Sequence, residues 1–247
     1  MFLRYNVNWI GSSSMCEYKI EILKCDSKVF EQLCELIRKF VIHVYIIQKF
    51  DLANERRVKK EEYIYNCEKY LNSEDLKYIK NDIEQRIDFF RNSLKNHNNN
   101  LITRHYLLFK ENELIGFQTA QLRKNLSSGE MEGLRNYAYI DKKYMGKKGR
   151  VMNYCGMVSE GILMNVVYNN ITEWFSKNNV SIERTATGKN MYQNILLYIV
   201  DKEFEIDYVD DKKIYFKKIV SKLKPRKERI KLYNEYLKSE KSKSLKY

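Results

Sequence analysis

A short segment rich in glycine and lysine, residues 142–150 (KKYMGKKGR), follows a strand-like stretch and precedes an apolar periodic one. Gly146 and Gly149 would let the backbone approach a ligand closely. Backbone N–H groups at the start of a helix have no internal partner and lie at the positive end of its dipole, so they bind phosphate groups. The side chains of Lys147, Lys148 and Arg150 add positive charge beside the two glycines. The residues alone leave two alternatives open, a pyrophosphate site and a solvated basic turn.

Periodic apolar patterns predict the elements that would position this turn. Residues 18–23 alternate apolar and polar side chains, which is typical of a half-buried strand. Two amphipathic helices follow, one capped by Asp26 or Ser27 and the other by Ser73. Residues 51–72, between them, are polar and predicted to be helical. The predicted apolar stripes are Phe30, Leu33, Ile37, Val41 and Val44 in the first helix, and Leu76, Ile79, Ile83, Ile87, Phe90 and Leu94 in the second.

Strands dominate the second half of the chain. The predicted order is a hairpin (106–110 and 114–122), a strand (134–141), the Gly/Lys turn, a long helix (151–177), a strand (180–187), a short helix (189–200) and a closing hairpin (204–209 and 213–218). This order favours a mixed α/β (α+β) fold with one central mixed sheet and flanking helices. We expect one domain over residues 1–220, with an enlarged helical segment at 27–100 and a core at 104–219, followed by a basic helical tail at 221–247.

The second half of the chain also resembles the GNAT superfamily of acyl-CoA-dependent N-acetyltransferases. Residues 107–117 (LLFKENELIGF) look like the second and third strands of that family, including a Gly–aromatic pair. Residues 136–151 (NYAYIDKKYMGKKGRV) are similar to its fourth strand, acyl-CoA pyrophosphate turn and following helix. Residues 182–205 (IERTATGKNMYQNILLYIVDKEFE) look like its fifth strand and last helix. The resemblance covers roughly residues 104–219, with a weaker match at 17–50.

The resemblance implies that an amine attacks the thioester of acetyl-CoA, or of a longer acyl-CoA, directly. Such transfer needs a base for the ammonium proton, a donor for the carbonyl oxygen and an acid for the leaving thiolate. The fourth strand would splay from the fifth, so that the pantetheine arm lies beside Tyr139 and Ile140. Residues implied to hold the diphosphate are Met145, Gly146, Lys147, Lys148, Gly149, Arg150 and Val151. Asn190 would hydrogen-bond the pantetheine or a water, with a helix N-cap as the alternative.

Catalytic candidates also come from the resemblance. Tyr198 is the implied acid, because a phenol can protonate a thiolate if it is held near the sulfur; a packed core tyrosine is the alternative. Glu130 and Glu132 are base candidates, and two solvated loop carboxylates are the alternative. Residues 27–100 would form the acceptor pocket. The acceptor itself stays open between a small-molecule amine, a protein and an aminoacyl-tRNA. The same segment could instead form a homodimer surface.

The chain is basic, with 45 Lys and Arg against 32 Asp and Glu and a net charge of +13. The tail at 221–247 holds ten of the basic residues and three of the acidic ones. This charge predicts an anionic partner. One alternative to the enzyme is therefore a nucleic-acid-binding protein that makes weak contacts through the tail, and another is a catalytically inactive GNAT-fold protein.

Cysteine, histidine and hydropathy patterns set the remaining expectations. The five cysteines lack C-x-x-C spacing and the three histidines are scattered, so the sequence predicts reduced thiols, a cytoplasmic location and no metal site. No apolar run approaches the ~18 residues of a membrane helix, and the N-terminus lacks the pattern of a signal peptide. We therefore expect no membrane partner.

Overall fold

The computed structural model describes residues 18–24, 27–52, 57–95, 101–152, 158–189 and 191–220, and residues 228, 231, 234–236 and 238 of the tail. The strands described are β1 (Tyr18–Ile22), β2 (Leu101–Lys110), β3 (Glu113–Lys124), β4 (Met131–Ile140), β5 (Lys148–Met152), β6 (Val158–Ile162), β7 (Val180–Gly188), β8 (Glu205–Val209) and β9 (Lys213–Ile219). The helices are α1 (Ser27–Lys49), α2 (Arg57–Tyr65), α3 (Cys67–Tyr70), α4 (Ser73–Lys95), α5 (Leu163–Lys177) and α6 (Tyr192–Leu196). A 3-10 turn (Lys142–Tyr144) follows β4, and a π-helical turn (Leu197–Asp201) continues α6.

The strands form one mixed sheet in the order β6-β5-β1-β2-β3-β4-β7-β9-β8. Neighbouring strands are antiparallel except for two parallel pairs, β1 with β5 and β4 with β7. Helix α5 packs on one face of the sheet, where Val167, Ile171 and Phe175 are fully buried. Helices α1 and α4 cover the other face. This three-layer arrangement confirms the predicted mixed α/β fold with a central mixed sheet and flanking helices.

The two long helices on the second face follow the predicted stripes, with two local differences at the start of α4. The predicted cap Ser73 is the first helical residue. The capping side chain belongs instead to Asn72, which accepts a hydrogen bond from the backbone N–H of Asp75 (2.9 Å) while the Asp75 carboxylate accepts one from Asn72 (2.8 Å). Leu76 was expected in the apolar stripe but is 49% exposed, because the stripe begins one turn later at Ile79.

The prediction of a helix from residue 151 is wrong. Residues 148–152 and 158–162 instead form the antiparallel strands β5 and β6, which extend the sheet beyond β1, and α5 begins only at Leu163. Glycine disfavours helix, and Gly149, Gly156 and Gly161 all lie in this stretch. Gly149 also fits closely against β1, because an added Cβ would lie 2.5 Å from the Tyr18 ring.

The tail is described only at a few helical positions. Tyr236 is buried there and packs with Ile195, Phe204 and Phe216 of the α6–β9 region.

Among the described residues, no helix is both long and apolar enough to cross a membrane. Within the same residues, no three His, Cys, Asp or Glu side chains are grouped closely enough to hold a metal ion.

Candidate active site

The parallel strands β4 and β7 pair along only part of their length. Their ladder runs from Met131 opposite Val180 to Leu134 opposite Arg184. Beyond that point β4 continues to Ile140 and β7 to Gly188 without pairing to each other, while β3 and β9 hold their outer edges. At about 3.3 Å per residue, the parted segments are roughly 20 Å of β4 and 13 Å of β7. The result is a wedge, closed at Leu134–Arg184 and open at Ile140–Gly188.

The closed end of the wedge is held by a buried charge cluster. The Thr185 hydroxyl donates to the carbonyl oxygen of Arg135 at 3.1 Å and makes the last hydrogen bond between the strands. The Arg135 guanidinium pairs with the Glu183 carboxylate at 2.8 Å and donates to Tyr168 O and Thr172 Oγ1 on α5. Both charged side chains are almost fully buried, at 1% and 4% exposed. The cluster therefore fixes the point at which β4 and β7 diverge.

A bulge in β4 lies next to this point. Gln118 of β3 pairs with Ala138, but Ala120 pairs with Arg135, so β4 contains one residue more than β3 between these pairs. A bulge reverses the alternation of side chains. Arg135 therefore contacts α5, whereas Tyr137 contacts Phe40 of α1, with ring centroids 6.2 Å apart.

The Gly/Lys turn lies beside the start of α5 although a hairpin separates them in sequence. The Leu163 N–H donates to Lys147 O at 3.3 Å, because the hairpin leaves the turn and returns to it. Gly146 adopts φ +73°, which favours glycine, and is exposed. The residue before α5, Ile162, supplies no capping side chain. Met145, Gly146 and Lys147 thus adjoin the start of α5 at the open end of the wedge, where Lys147 O accepts from the first helical N–H and the next N–H groups have no capping side chain.

The other predicted diphosphate ligands lie elsewhere. Lys148, Gly149, Arg150 and Val151 are in β5, where their backbone is paired within the sheet and Val151 is fully buried. These four residues therefore do not form the start of a helix, in contrast to the sequence-based interpretation.

Tyr139 and Ile140 are the last two residues of β4, and their side chains face opposite sides of the sheet. The Tyr139 ring lies 5.5 Å from Phe40 and 5.8 Å from His43, on the α1 face. Ile140 packs in the cluster under α5. Both side chains are buried, so any contact with a ligand in the wedge would come from their backbone.

Tyr198 lies beside the closed end of the wedge, in the π-helical turn after α6. Its ring packs against Phe204 and Phe216, with centroids 5.8 and 5.3 Å away. Burial raises the pKa of the phenol, and a hydrogen bond with the Thr185 side chain partly offsets this effect. The Tyr198 hydroxyl thus already has a hydrogen-bond partner in Thr185, whose own hydroxyl donates to Arg135 O. Asn190 lies outside the described residues. The neighbouring Asn194 Nδ2 donates to Thr187 of β7 at 3.3 Å.

The two acidic candidates lie away from the open wedge. Glu132 is 2% exposed, at the level where β4 still pairs with β7, and is ion-paired with Arg123 and Arg184. Burial favours a higher pKa for this carboxyl, but the two arginines and Asn125 outweigh it and hold the pKa below its usual value. Glu130 is exposed in the β3–β4 loop.

Sequence reasoning missed the groups on the α5 side of the site. Tyr168 lies between two cations, with Arg135 Cζ 3.7 Å and Lys202 Nζ 4.2 Å from its ring centroid. Lys202 also donates to Asn165 Oδ1, in the first turn of α5, at 2.9 Å. Burial and Arg135 lower the pKa of Lys202. No motif signals these residues, because they meet only when α5 crosses the sheet.

This geometry defines a mixed α/β protein with a parted pair of parallel strands. No family model and no curated protein matches the chain. Among solved structures, it is similar to the PaiA N-acetyltransferase of Thermoplasma acidophilum in complex with coenzyme A, with 16% identity, TM-score 0.45, and 81% of this chain and 98% of the other covered. A putative GNAT-family acetyltransferase from Desulfovibrio desulfuricans is 7% identical with TM-score 0.48, covering 82% of this chain and 99% of its own.

A third similar structure is Naa50 of Arabidopsis thaliana in complex with the bisubstrate analogue CoA-Ac-MVNAL, with 13% identity, TM-score 0.42 and coverage of 81% of this chain and 97% of the other. The superfamily that the sequence resembles thus appears again among the structural neighbours. Because each of these TM-scores is below 0.5, the proposals that follow depend on the strands and side chains of this chain.

Proposed function

We propose that the protein is an acyl-CoA-dependent N-acyltransferase that binds the pantetheine arm of its donor substrate between β4 and β7. The observation that carries this proposal is the end of β4–β7 pairing after Leu134 and Arg184. Unpaired strand edges present N–H and C=O groups, and an extended ligand with amide groups can bind to them as an added strand would. Pantetheine is such a ligand.

The open end of the wedge supports binding of the diphosphate. Gly146 and Lys147 adjoin the start of α5, which has no capping side chain, so backbone N–H groups beyond that of Leu163 and one lysine can converge on an anion there. Lys202 reaches the same helical turn through Asn165. Lys148 to Val151 are not part of this proposal, because they belong to β5.

The bulge of β4 supports the transfer chemistry. A residue in a bulge lacks a full set of ladder partners, so a backbone N–H there can donate to the carbonyl oxygen as negative charge develops on it. The amine would approach from the α1 and α4 face, where Phe40 and Tyr137 lie. Glu132 is committed to two arginines, so we propose that the ammonium proton leaves through water. The acid for the thiolate would be a phenol of the cluster that includes Tyr198.

Calorimetry with acetyl-CoA and CoA tests the proposal, together with thiol release from acetyl-CoA in the presence of a panel of amines. The informative variant is Ala138→Trp. Ala138 is exposed and lies two residues before Ile140, so its side chain faces α5 and an indole there would enter the wedge. We expect at least a tenfold weaker affinity for CoA.

The control is Leu126→Trp, which places the same indole group at a residue that is 81% exposed in the β3–β4 loop. Its affinity for CoA should equal that of the wild type. Wild-type protein that gives no heat with either ligand would refute the proposed function. Equal binding by the wild type and Ala138→Trp would remove the wedge as the site. Binding without thiol release would leave a CoA-binding protein that lacks transferase activity.

A further inference from the structure

We propose that Tyr168 of α5 is a catalytic residue that donates its phenolic proton to the sulfur of the departing CoA thiolate. This inference rests on the proposed function and goes beyond it by assigning the acid. The assignment differs from the one implied by the sequence resemblance, which pointed to Tyr198.

The first observation is an unsatisfied hydroxyl. The Tyr168 hydroxyl is buried and has no hydrogen-bond partner among the described residues. Buried hydroxyls in folded proteins are nearly always hydrogen-bonded, since an unpaired one loses its hydrogen bonds to water without replacement. A substrate atom that accepts a hydrogen bond would satisfy this group. Tyr168 also packs with Tyr198 in one cluster and contacts Arg135, the residue at which the wedge closes.

The second observation is the charge around the ring. Arg135 Cζ lies 3.7 Å and Lys202 Nζ 4.2 Å from the Tyr168 ring centroid. Positive charge beside a phenol stabilises the phenolate that remains after proton transfer. Burial raises the pKa of Tyr168, so that the group is protonated at neutral pH and can act as an acid.

The third observation concerns the alternative acid. The Tyr198 hydroxyl is already hydrogen-bonded to the side chain of Thr185, which holds the closed end of the wedge through Arg135 O. The Tyr168 hydroxyl has no such partner among the described residues and can therefore hydrogen-bond a substrate atom without giving up a structural contact. Tyr198 then acts as a positioning residue at the closed end of the wedge.

The amine nitrogen forms a bond to the thioester carbon, and the bond between that carbon and sulfur breaks. The electron pair of the broken bond goes to sulfur, which takes the proton of Tyr168. The products are an amide and the CoA thiol, and the phenolate recovers, through water, the proton that the amine nitrogen loses when it becomes an amide.

Turnover of three Tyr→Phe variants tests the assignment with any amine that the wild type acylates. General acids contribute about 10²–10⁴-fold. We expect Tyr168→Phe to lower kcat by at least about 100-fold with unchanged affinity for acetyl-CoA, and Tyr198→Phe to lower it by less than about tenfold. The control is Tyr208→Phe, which makes the same change in a side chain that is 54% exposed in the edge strand β8.

A second measurement needs no acceptor and would not respond to a purely structural role. The affinities for CoA and for desulfo-CoA, which lacks the thiol, are compared from pH 7 to 9 in the same variants. A donor that stabilises the bound thiolate lowers the pKa of the bound thiol. CoA should then gain affinity over desulfo-CoA as the pH rises, by up to about tenfold for each pKa unit. This gain should vanish in Tyr168→Phe and persist in Tyr198→Phe.

The outcomes separate the two proposals. A larger kcat loss in Tyr198→Phe than in Tyr168→Phe would overturn the assignment, as would an equal pH-dependent gain in the wild type and Tyr168→Phe. In both cases CoA binding would still support the proposed function. Absence of CoA binding by the wild type would refute the function and the assignment together.

Discussion

Neutralising Glu183, at the closed end of the wedge, should lower the free energy of unfolding. The Glu183 carboxylate is the anionic partner of Arg135, and the two side chains are 4% and 1% exposed. Removing one partner of a buried ion pair costs about 3–5 kcal/mol, because the other charge stays buried without compensation. Glu183→Gln retains one acceptor oxygen, which recovers about 1 kcal/mol. The free energy of unfolding should therefore fall by about 2–4 kcal/mol, equivalent to a Tm decrease of about 4–16 °C.

Urea denaturation measures this change, with Glu173→Gln as the matched control. Glu173 pairs with Lys177 on the surface of α5, where the side chains are 38% and 63% exposed, so its neutralisation should cost less than about 0.5 kcal/mol. The double variant Arg135→Met/Glu183→Met should be more stable than Glu183→Gln, because no unpaired charge remains. Equal unfolding free energies for Glu183→Gln and Glu173→Gln would refute the reasoning.

Three further predictions concern other parts of the fold. Gly133→Ala should lower the free energy of unfolding in urea by about 1–3 kcal/mol, because the added Cβ would lie 2.6 Å from the Phe175 ring. Gly161→Ala, where an added Cβ would meet nothing closer than 3.9 Å, should lower it clearly less. Equal losses in the two variants would contradict this packing. Burial lowers the pKa of His105 to about 3, so the unfolded state binds its proton first and stability should fall by about 1.4 kcal/mol per unit as the pH drops below about 6.5. His105→Gln should make the urea midpoint depend less on pH between pH 6.5 and 4.5. An unchanged pH dependence would contradict the assignment. Glu203 adopts φ +65°, so Glu203→Gly should raise the Tm by a few degrees, from about 1 kcal/mol of relieved strain; a lower Tm would show that the side chain stabilises this turn.

Local sequence patterns were sufficient to predict most of the elements that surround the site. Period-two alternation correctly indicated β1, and the apolar stripes of α1 and α4 matched their buried faces. The hairpin β5–β6 was missed because Val151, Val158 and Ile162 can also be spaced as a helical stripe. Pairing with β1 and the contact of Gly149 with Tyr18 decide between the two structures, and both are contacts between residues far apart in sequence.

The site was predictable only in part. The resemblance implied a parting of the fourth and fifth strands, and β4 and β7 do part. The acid role that the resemblance implies for Tyr198 stays a prediction, and the structure places this residue beside the closed end of the wedge. Tyr168 could not be singled out from the sequence, because its significance comes from two cations, Arg135 and Lys202, that other elements supply.

Amide hydrogen exchange with and without CoA tests most directly whether the parted strands form the donor site. The wedge-facing amides of residues 136–140 and 185–188 have no partner across the wedge in the free protein. If the pantetheine arm bonds to these edges, saturating CoA should slow their exchange by at least about tenfold, equivalent to about 1.4 kcal/mol of added protection. Unchanged exchange in both segments at saturating CoA, with protection confined to other parts of the chain, would contradict the account.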